Sequence, residues 1–238
     1  MPAYRAVVFD FFGTLTRSVR RGPQHAAIAR FLGCDPDVVV GVLDRSFRAR
    51  ARGLFGSAED TLGWVIEQAG GHPRPGQLAA AMPARINAMR ADTRLRADAV
   101  SALTALRRRG LATALISDCT HELPAFLPTL PVAGLLNTQV FSVELGICKP
   151  DPRIYLAACA RLGIAPRECL YVGDGGSHEL TGAEAVGMTA VRLAAPDLAD
   201  HLVFDRDDGF TGATVSSLTD VVHLIDRQPA LAGSSAAA

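Results

Sequence analysis

Asp10, Ser117, Lys149 and Asp174 are the residues of this sequence whose types and settings could do chemistry together. Asp10 ends an apolar run in "VVFDFFGTL", Ser117 follows one in "ALISD", Lys149 stands in "GICKPDP", and Asp174 ends "LYVGD". Two carboxylates brought together out of water repel one another, so Asp10 and Asp174 require a cation, with the Lys149 ammonium as a second counter-charge. Oxygen ligands favour a hard ion, Mg²⁺. Lys149 is the sole lysine in a chain with 24 basic residues. A guanidinium is forked and bulky, whereas an ammonium is a compact point charge that fits among carboxylates. Its retention in a chain so biased towards arginine points to a functional use.

An open parallel sheet would bring these side chains to one place, because ligands sit beyond the carboxyl ends of its strands. Short apolar runs at residues 4–9, 111–116, 140–143, 169–173 and 189–193 do not alternate cleanly, as expected of strands buried on both faces. Helical patterns at 97–109, 150–162 and 177–186 each stop at a glycine, and 216–226 reads as a last helix. This alternation predicts an α/β fold with a Rossmann-like parallel sheet core. Residues 17–93 break it with helical stretches near 24–32, 36–54, 58–69 and 76–91. The expected organisation is therefore a core from 1–16 and 94–230, an inserted α-helical cap over 17–93, and a disordered small-residue tail at 231–238.

Composition excludes several classes. A chain of 238 residues with 49% hydrophobic content and no net charge is globular, not disordered. No apolar run reaches the roughly 18 residues of a membrane span, and the first dozen residues lack the layout of a signal peptide. A cytoplasmic protein with no membrane partner is expected. The five cysteines (Cys34, Cys119, Cys148, Cys159, Cys169) are odd in number without CxxC spacing, so they read as small buried hydrophobes, not as a disulfide framework or zinc site. The arginines are dispersed and not interleaved with aromatics, so nucleic acid is not an expected partner. Residues 17–94 hold twelve arginines against seven acidic residues. This basic segment could steer a small anionic substrate towards the acidic remainder. Alternatively, Arg45, Arg48, Arg50 and Arg52 simply solvate a helix face. Nothing in the sequence fixes an oligomeric state.

These stretches, in this order, resemble the haloacid dehalogenase-like hydrolases, in particular members with a helical cap inserted after the first motif. The matching elements are "VVFDFFGTL", "ALISD", "GICKPDPRIY" and "LYVGDGGSHELTGAEAVGM", which cover about residues 4–193. The resemblance implies that Asp10 is a nucleophile forming a covalent aspartyl intermediate. It implies that Ser117 hydrogen-bonds a phosphoryl or carboxylate oxygen and that Lys149 holds the nucleophile and the substrate charge. Mg²⁺ would be bound by Asp10, the Phe12 backbone carbonyl, Asp174 and Glu179, the last replacing a more usual aspartate. Gly13, Thr14 and Asp118 join Ser117 and Lys149 as expected contacts to a small phosphorylated metabolite.

Phe12 departs from the pattern. In the family's phosphatases that side chain is the general acid/base that protonates the leaving alkoxide and then activates water, and a phenyl ring can do neither. Members without this acid include the true haloacid dehalogenases, because a halide leaves unprotonated. Yet "VGDGGSHE" looks like the magnesium-dependent branch. Three readings stand. The first is a Mg²⁺-dependent phosphatase with His25, Asp118 or His121 as substitute proton donors. The second is a metal-independent 2-haloacid dehalogenase with Phe12 lining an apolar pocket, and the third is a non-catalytic binder of a phospho-ligand or partner.

Overall fold

A computed structural model describes residues 4–198 and 205–227 of the chain. The expected tail at 231–238 lies outside the described residues. Six strands form one sheet: β1 (Ala6–Phe9), β2 (Ala112–Ser117), β3 (Thr138–Phe141), β4 (Cys169–Gly173), β5 (Thr189–Leu193) and β6 (Ala213–Val215). Their order is β3-β2-β1-β4-β5-β6, and every pair is parallel. The chain is thus an α/β protein with a Rossmann-like sheet.

Each central strand buries both faces. Val7 and Phe9 of β1 join Leu170 and Val172 of β4 in one apolar cluster, while Ala6 and Val8 join Cys169 and Tyr171 in the other. Such strands read as continuous apolar runs because neither face meets water. Two layers of helices cover them. Five helices first intervene after β1: α1 (Gln24–Phe31), α2 (Pro36–Arg45), α3 (Phe47–Ala51), α4 (Ala58–Gln68) and α5 (Gln77–Asp92). The rest are α6 (Ala99–Arg108), α7 (Glu122–Phe126), α8 (Ser142–Leu145), α9 (Pro152–Leu162), α10 (Glu179–Ala185) and α11 (Leu218–Asp226). Leu103 and Leu106 of α6 and Val221 of α11 pack on one face of the sheet, whereas Ile154 and Ala158 of α9 and Leu180 of α10 pack on the other. Fully burying each leucine- or valine-sized side chain stabilises the sandwich by about 1.5–3 kcal/mol.

Helices α1, α2, α4 and α5 bury a separate cluster that includes Ile28, Leu32, Val42, Leu43, Leu62, Val65, Ile66 and Ala88. Local sequence sets their limits. Asp35 caps α2 by accepting from Asp37 N and Val38 N, with Pro36 in the first turn. Ser57 and Asp60 form a reciprocal capping box on α4. The chain enters this layer at Thr16 and returns at Leu95, where the two passing segments form an antiparallel bridge.

Several bounds differ from expectation for local reasons. The helix expected over 36–54 is broken at Ser46, which leaves the α region (φ −101°, ψ 3°) and whose hydroxyl bonds the Val42 carbonyl. The strand expected at 140–143 ends at Phe141, and its last residues begin α8. The helix expected from 177 begins at Glu179, because Ser177 and His178 take positive φ. Strand β6 and helix α7 were absent from the sequence reading.

Candidate functional site

Register brings the reactive side chains to one edge. Phe9 lies opposite both Leu115 and Val172, so Asp10, Ser117 and Asp174 all fall at or just past the carboxyl ends of neighbouring strands. After Asp10 the chain makes a wide turn over Phe11–Leu15, closed by the Thr16 N–H on the Phe11 carbonyl at 3.0 Å. Gly13 sits at φ 81°, a region that disfavours a side chain. Arg96 fixes this turn from behind. It donates to the carbonyls of Gly13 (2.7 Å) and Thr14 (2.9 Å) and to Asp197 Oδ1 (2.8 Å).

Lys149 is the hub. Its Nζ donates to Asp10 Oδ1 at 2.6 Å and Glu179 Oε2 at 2.5 Å, and its backbone N–H donates to Asp118 Oδ1 at 3.0 Å. Burial alone would drive this amine neutral, but the Asp10 and Glu179 carboxylates outweigh it and hold its pKa well above the ordinary lysine value. Glu179 is completely buried, which pushes its carboxyl above the usual range against the pull of Lys149. Donors also reach it from Tyr171 OH (2.8 Å) and Gly175 N (2.9 Å). A Cβ at position 173 would collide with the Glu179 carboxylate, so only glycine lets that side chain lie against the end of β4.

Carboxylate oxygens of Asp10, Asp174 and Glu179 all lie within 4.8 Å of one another. Asp118 is also buried beside them. This all-oxygen set fits a hard divalent ion such as Mg²⁺. Since Glu179 already accepts from Lys149, Tyr171 and Gly175, Asp10 and Asp174 are the side chains that could hold such an ion directly, with Glu179 holding Lys149.

Above this cluster lies a cavity of about 410 Å³ whose wall includes Asp10, Phe12, Asp118, Lys149, Asp174 and Glu179. The inserted helices close it with His25, Leu43, Phe47, Arg50, Arg85, Met89 and Asp92. His25 Nε2 is 2.8 Å from Asp92 Oδ2, which itself accepts from the Gly22 N–H. His121 instead pairs with the Gly56 carbonyl (3.0 Å) and does not line the cavity. Arg85 pairs with buried Glu122, which also accepts from Thr120. Burial works against the Glu122 carboxylate, but Arg85 and Thr120 outweigh it and lower its pKa to about 2.

Asp10, Lys149, Asp174, Glu179, Asp118 and Phe12 are therefore brought together. Gly13, Thr14 and Ser117, expected as substrate contacts, do not line the cavity: Arg96 holds the first two by their carbonyls, and the Thr14 side chain is sealed inside. Ser117 Oγ is fully buried with no hydrogen-bond partner among the described residues. Arg96, Tyr171, Glu122 and Asp92 were missed by sequence reasoning. All five cysteines are free and buried, and no helix among the described residues is long and apolar enough to cross a membrane.

Comparison with known proteins gives the family and the fold. The profile of the haloacid dehalogenase-like hydrolases matches residues 4–187. Glyceraldehyde 3-phosphate phosphatase of Methanopyrus kandleri is 29% identical over 211 residues, covering 86% of this chain and 90% of that protein. (S)-2-haloacid dehalogenase 1 of Pseudomonas sp. is 36% identical over 97 residues, 40% of this chain and 42% of that protein. The solved structure of L-2-haloacid dehalogenase from Xanthobacter autotrophicus with chloropropionic acid covalently bound superposes with a TM-score of 0.66 at 18% identity, covering 95% of this chain and all of that one.

Proposed function

The chain belongs to the haloacid dehalogenase-like hydrolases, and on that premise we propose that it is a Mg²⁺-dependent phosphatase of a small phosphorylated metabolite. The observation that carries this reading is the all-oxygen cluster at the cavity floor, where carboxylate oxygens of Asp10, Asp174 and Glu179 lie within 4.8 Å of one another and Lys149 pairs with Asp10 and Glu179. A halide-displacing site has no need of such a cluster, whereas a phosphoryl group adds charge that must be neutralised.

In this reading Asp10 uses the carboxylate oxygen not held by Lys149 to attack phosphorus. The bond from phosphorus to the ester oxygen breaks, and an aspartyl phosphate forms. Lys149 fixes the attacking carboxylate and screens the phosphoryl oxygens. Bound Mg²⁺ would supply charge neutralisation between nucleophile and phosphoryl group. The leaving alkoxide needs a proton that Phe12 lacks. The His25 imidazole, oriented by Asp92 and lining the same cavity, supplies it from the inserted layer. Water then attacks phosphorus as its proton passes to the His25 imidazole left neutral by the first step, the bond from phosphorus to the Asp10 oxygen breaks, and phosphate leaves with the Asp10 carboxylate regenerated. Residues 17–93 serve as a cap that excludes bulk water and selects the substrate.

Dehalogenation is the second reading, favoured by one observation: Phe12, Leu43, Phe47 and Met89 give the cavity an apolar wall. Assaying phosphate release from a panel of phosphorylated metabolites with Mg²⁺ or EDTA, beside chloride release from 2-chloropropionate, separates the two. Phosphate release abolished by EDTA supports the proposal; chloride release indifferent to EDTA sinks it.

A further inference from the structure

The inserted helices bury two arginines that differ in their partners. Arg50 of α3 is only 4% exposed, Arg85 of α5 is 7% exposed, and Glu122 of α7 lies buried beside them. Arg85 takes Glu122 as its ion-pair partner. Arg50 has no carboxylate within ion-pair distance among the described residues. It donates from Nε to Ser46 Oγ (3.1 Å) and from Nη2 to the Leu43 carbonyl (2.8 Å), both on the preceding helix and its end. Two of its five N–H groups are thereby used, and the guanidinium lines the cavity.

A buried charge without a counter-charge is costly. Burial first, and the neighbouring Arg85 second, lower the Arg50 pKa to about 10 against the pull of the more distant Glu122 and Asp44 carboxylates, so the group is still charged at neutral pH. A solvating arginine would extend to water. A structural one would have taken a carboxylate, as Arg85 has done. Arg50 instead is locked by Ser46 and Leu43 with its remaining donors unspent beside an open volume of about 410 Å³.

We propose that Arg50 is an anion subsite in the roof of the cavity and that the substrate is a phosphate ester carrying a second oxyanion, a carboxylate or a further phosphoryl group, which Arg50 receives. This rests on the phosphatase reading for the first anion, held at Asp10 and Lys149. The second anion takes up the N–H donors that Arg50 leaves unspent, and its distance from the first sets which esters fit. A fork of N–H donors suits either oxyanion, since both accept two parallel hydrogen bonds.

The test uses three esters that differ at one end: glycerol 3-phosphate, 3-phosphoglycerate and glycerol bisphosphate. Their affinities are measured by calorimetry with Mg²⁺ on the full chain carrying Asp10→Asn, so that turnover does not interfere. At least one doubly anionic ester is expected to bind about tenfold or more tightly than glycerol 3-phosphate. Whether the carboxylate or the second phosphoryl gains identifies the source of the anion. Adding Arg50→Met should bring the three esters to within about twofold of one another, and Arg50→Lys should erode the preference at least about threefold by losing the fork. Equal affinities in the parent, or a preference that survives both substitutions, overturns the inference; if the Met variant does not fold, the Lys variant alone decides. Phosphate release by the unsubstituted protein is read separately. Release without preference leaves the phosphatase reading standing and the subsite refuted, whereas preferential binding without release does the reverse.

Discussion

The floor and the roof of the cavity handle charge in opposite ways. On the floor, Lys149 is shared between Asp10 and Glu179, and Glu179 is further held by Tyr171 and Gly175. Asp10 and Asp174 follow strand ends in fixed register, and Glu179 opens α10 beside them. In the roof, Arg85 takes the buried Glu122 carboxylate, while Arg50 has no ion-pair partner among the described residues. On the proposed reading, the sheet edge serves the cation and the phosphoryl group, the helices, tied to α7 through the Arg85–Glu122 pair, serve substrate selection, and the two tasks fall to separate layers of one cavity.

The largest expected effect breaks the tie between them. Glu122 has a folded pKa of about 2 against an ordinary value of 4.5. A carboxyl depressed on folding contributes stability that is fully present above its unfolded pKa and lost as pH falls through the folded one. The Arg85–Glu122 pair should therefore contribute on the order of 3 kcal/mol above about pH 5, lost progressively between about pH 4.5 and pH 2. Acid melts of the parent should show this slope, and Glu122→Gln should flatten it while lowering stability at neutral pH. Next comes the floor alone: saturating Mg²⁺ relieves repulsion between Asp10 and Asp174 and binds only the folded chain, which should raise stability by about 1–3 kcal/mol relative to EDTA. A melt indifferent to the ion would break the claim that the carboxylate cluster of the floor is a metal site.

Lys149→Arg tests the geometry of the floor, not its charge. A forked guanidinium cannot occupy the gap between Asp10 and Glu179, so turnover should fall at least about tenfold, roughly 1.4 kcal/mol. The smallest effect concerns the proton. His25→Gln should slow alkyl phosphates about tenfold and p-nitrophenyl phosphate much less, because a good leaving group scarcely needs an acid. Adding Phe12→Asp to that variant should recover alkyl phosphate turnover by about the same factor, moving the donor from roof to floor. A well-folded double variant that recovers nothing would mean that proton delivery is not what Phe12 displaced.

The floor was far more legible in the sequence than the roof. Strand ends announce themselves, since an apolar run closed by Asp10, Ser117 or Asp174 is a local pattern, and β4 and β5 have the bounds expected of them. A single lysine also marked its own position. Arg96 and Arg50 could not be distinguished in the same way, because each is one of many arginines and its role depends on contacts distant in sequence. Arg96 meets Gly13 and Thr14 across more than eighty residues, and the arginines of residues 45–52 divide between buried Arg50 and exposed Arg48, which pairs with Asp205. Glu122 escaped notice because α7 is a five-residue helix with little periodicity to read. Tyr171 was read as a strand apolar residue, which its ring is, while its hydroxyl serves Glu179.

The central claim is that Asp10 accepts the phosphoryl group. Acid-quenching the protein during steady-state hydrolysis of its best phosphate ester and determining the mass of the peptide that contains Asp10 tests this directly. The account predicts a phosphoryl adduct on that peptide in the unsubstituted protein, none in Asp10→Asn, and a fall in phosphate release of at least about 10³-fold in the variant. Phosphate release that continues in Asp10→Asn with no adduct on either protein would contradict it.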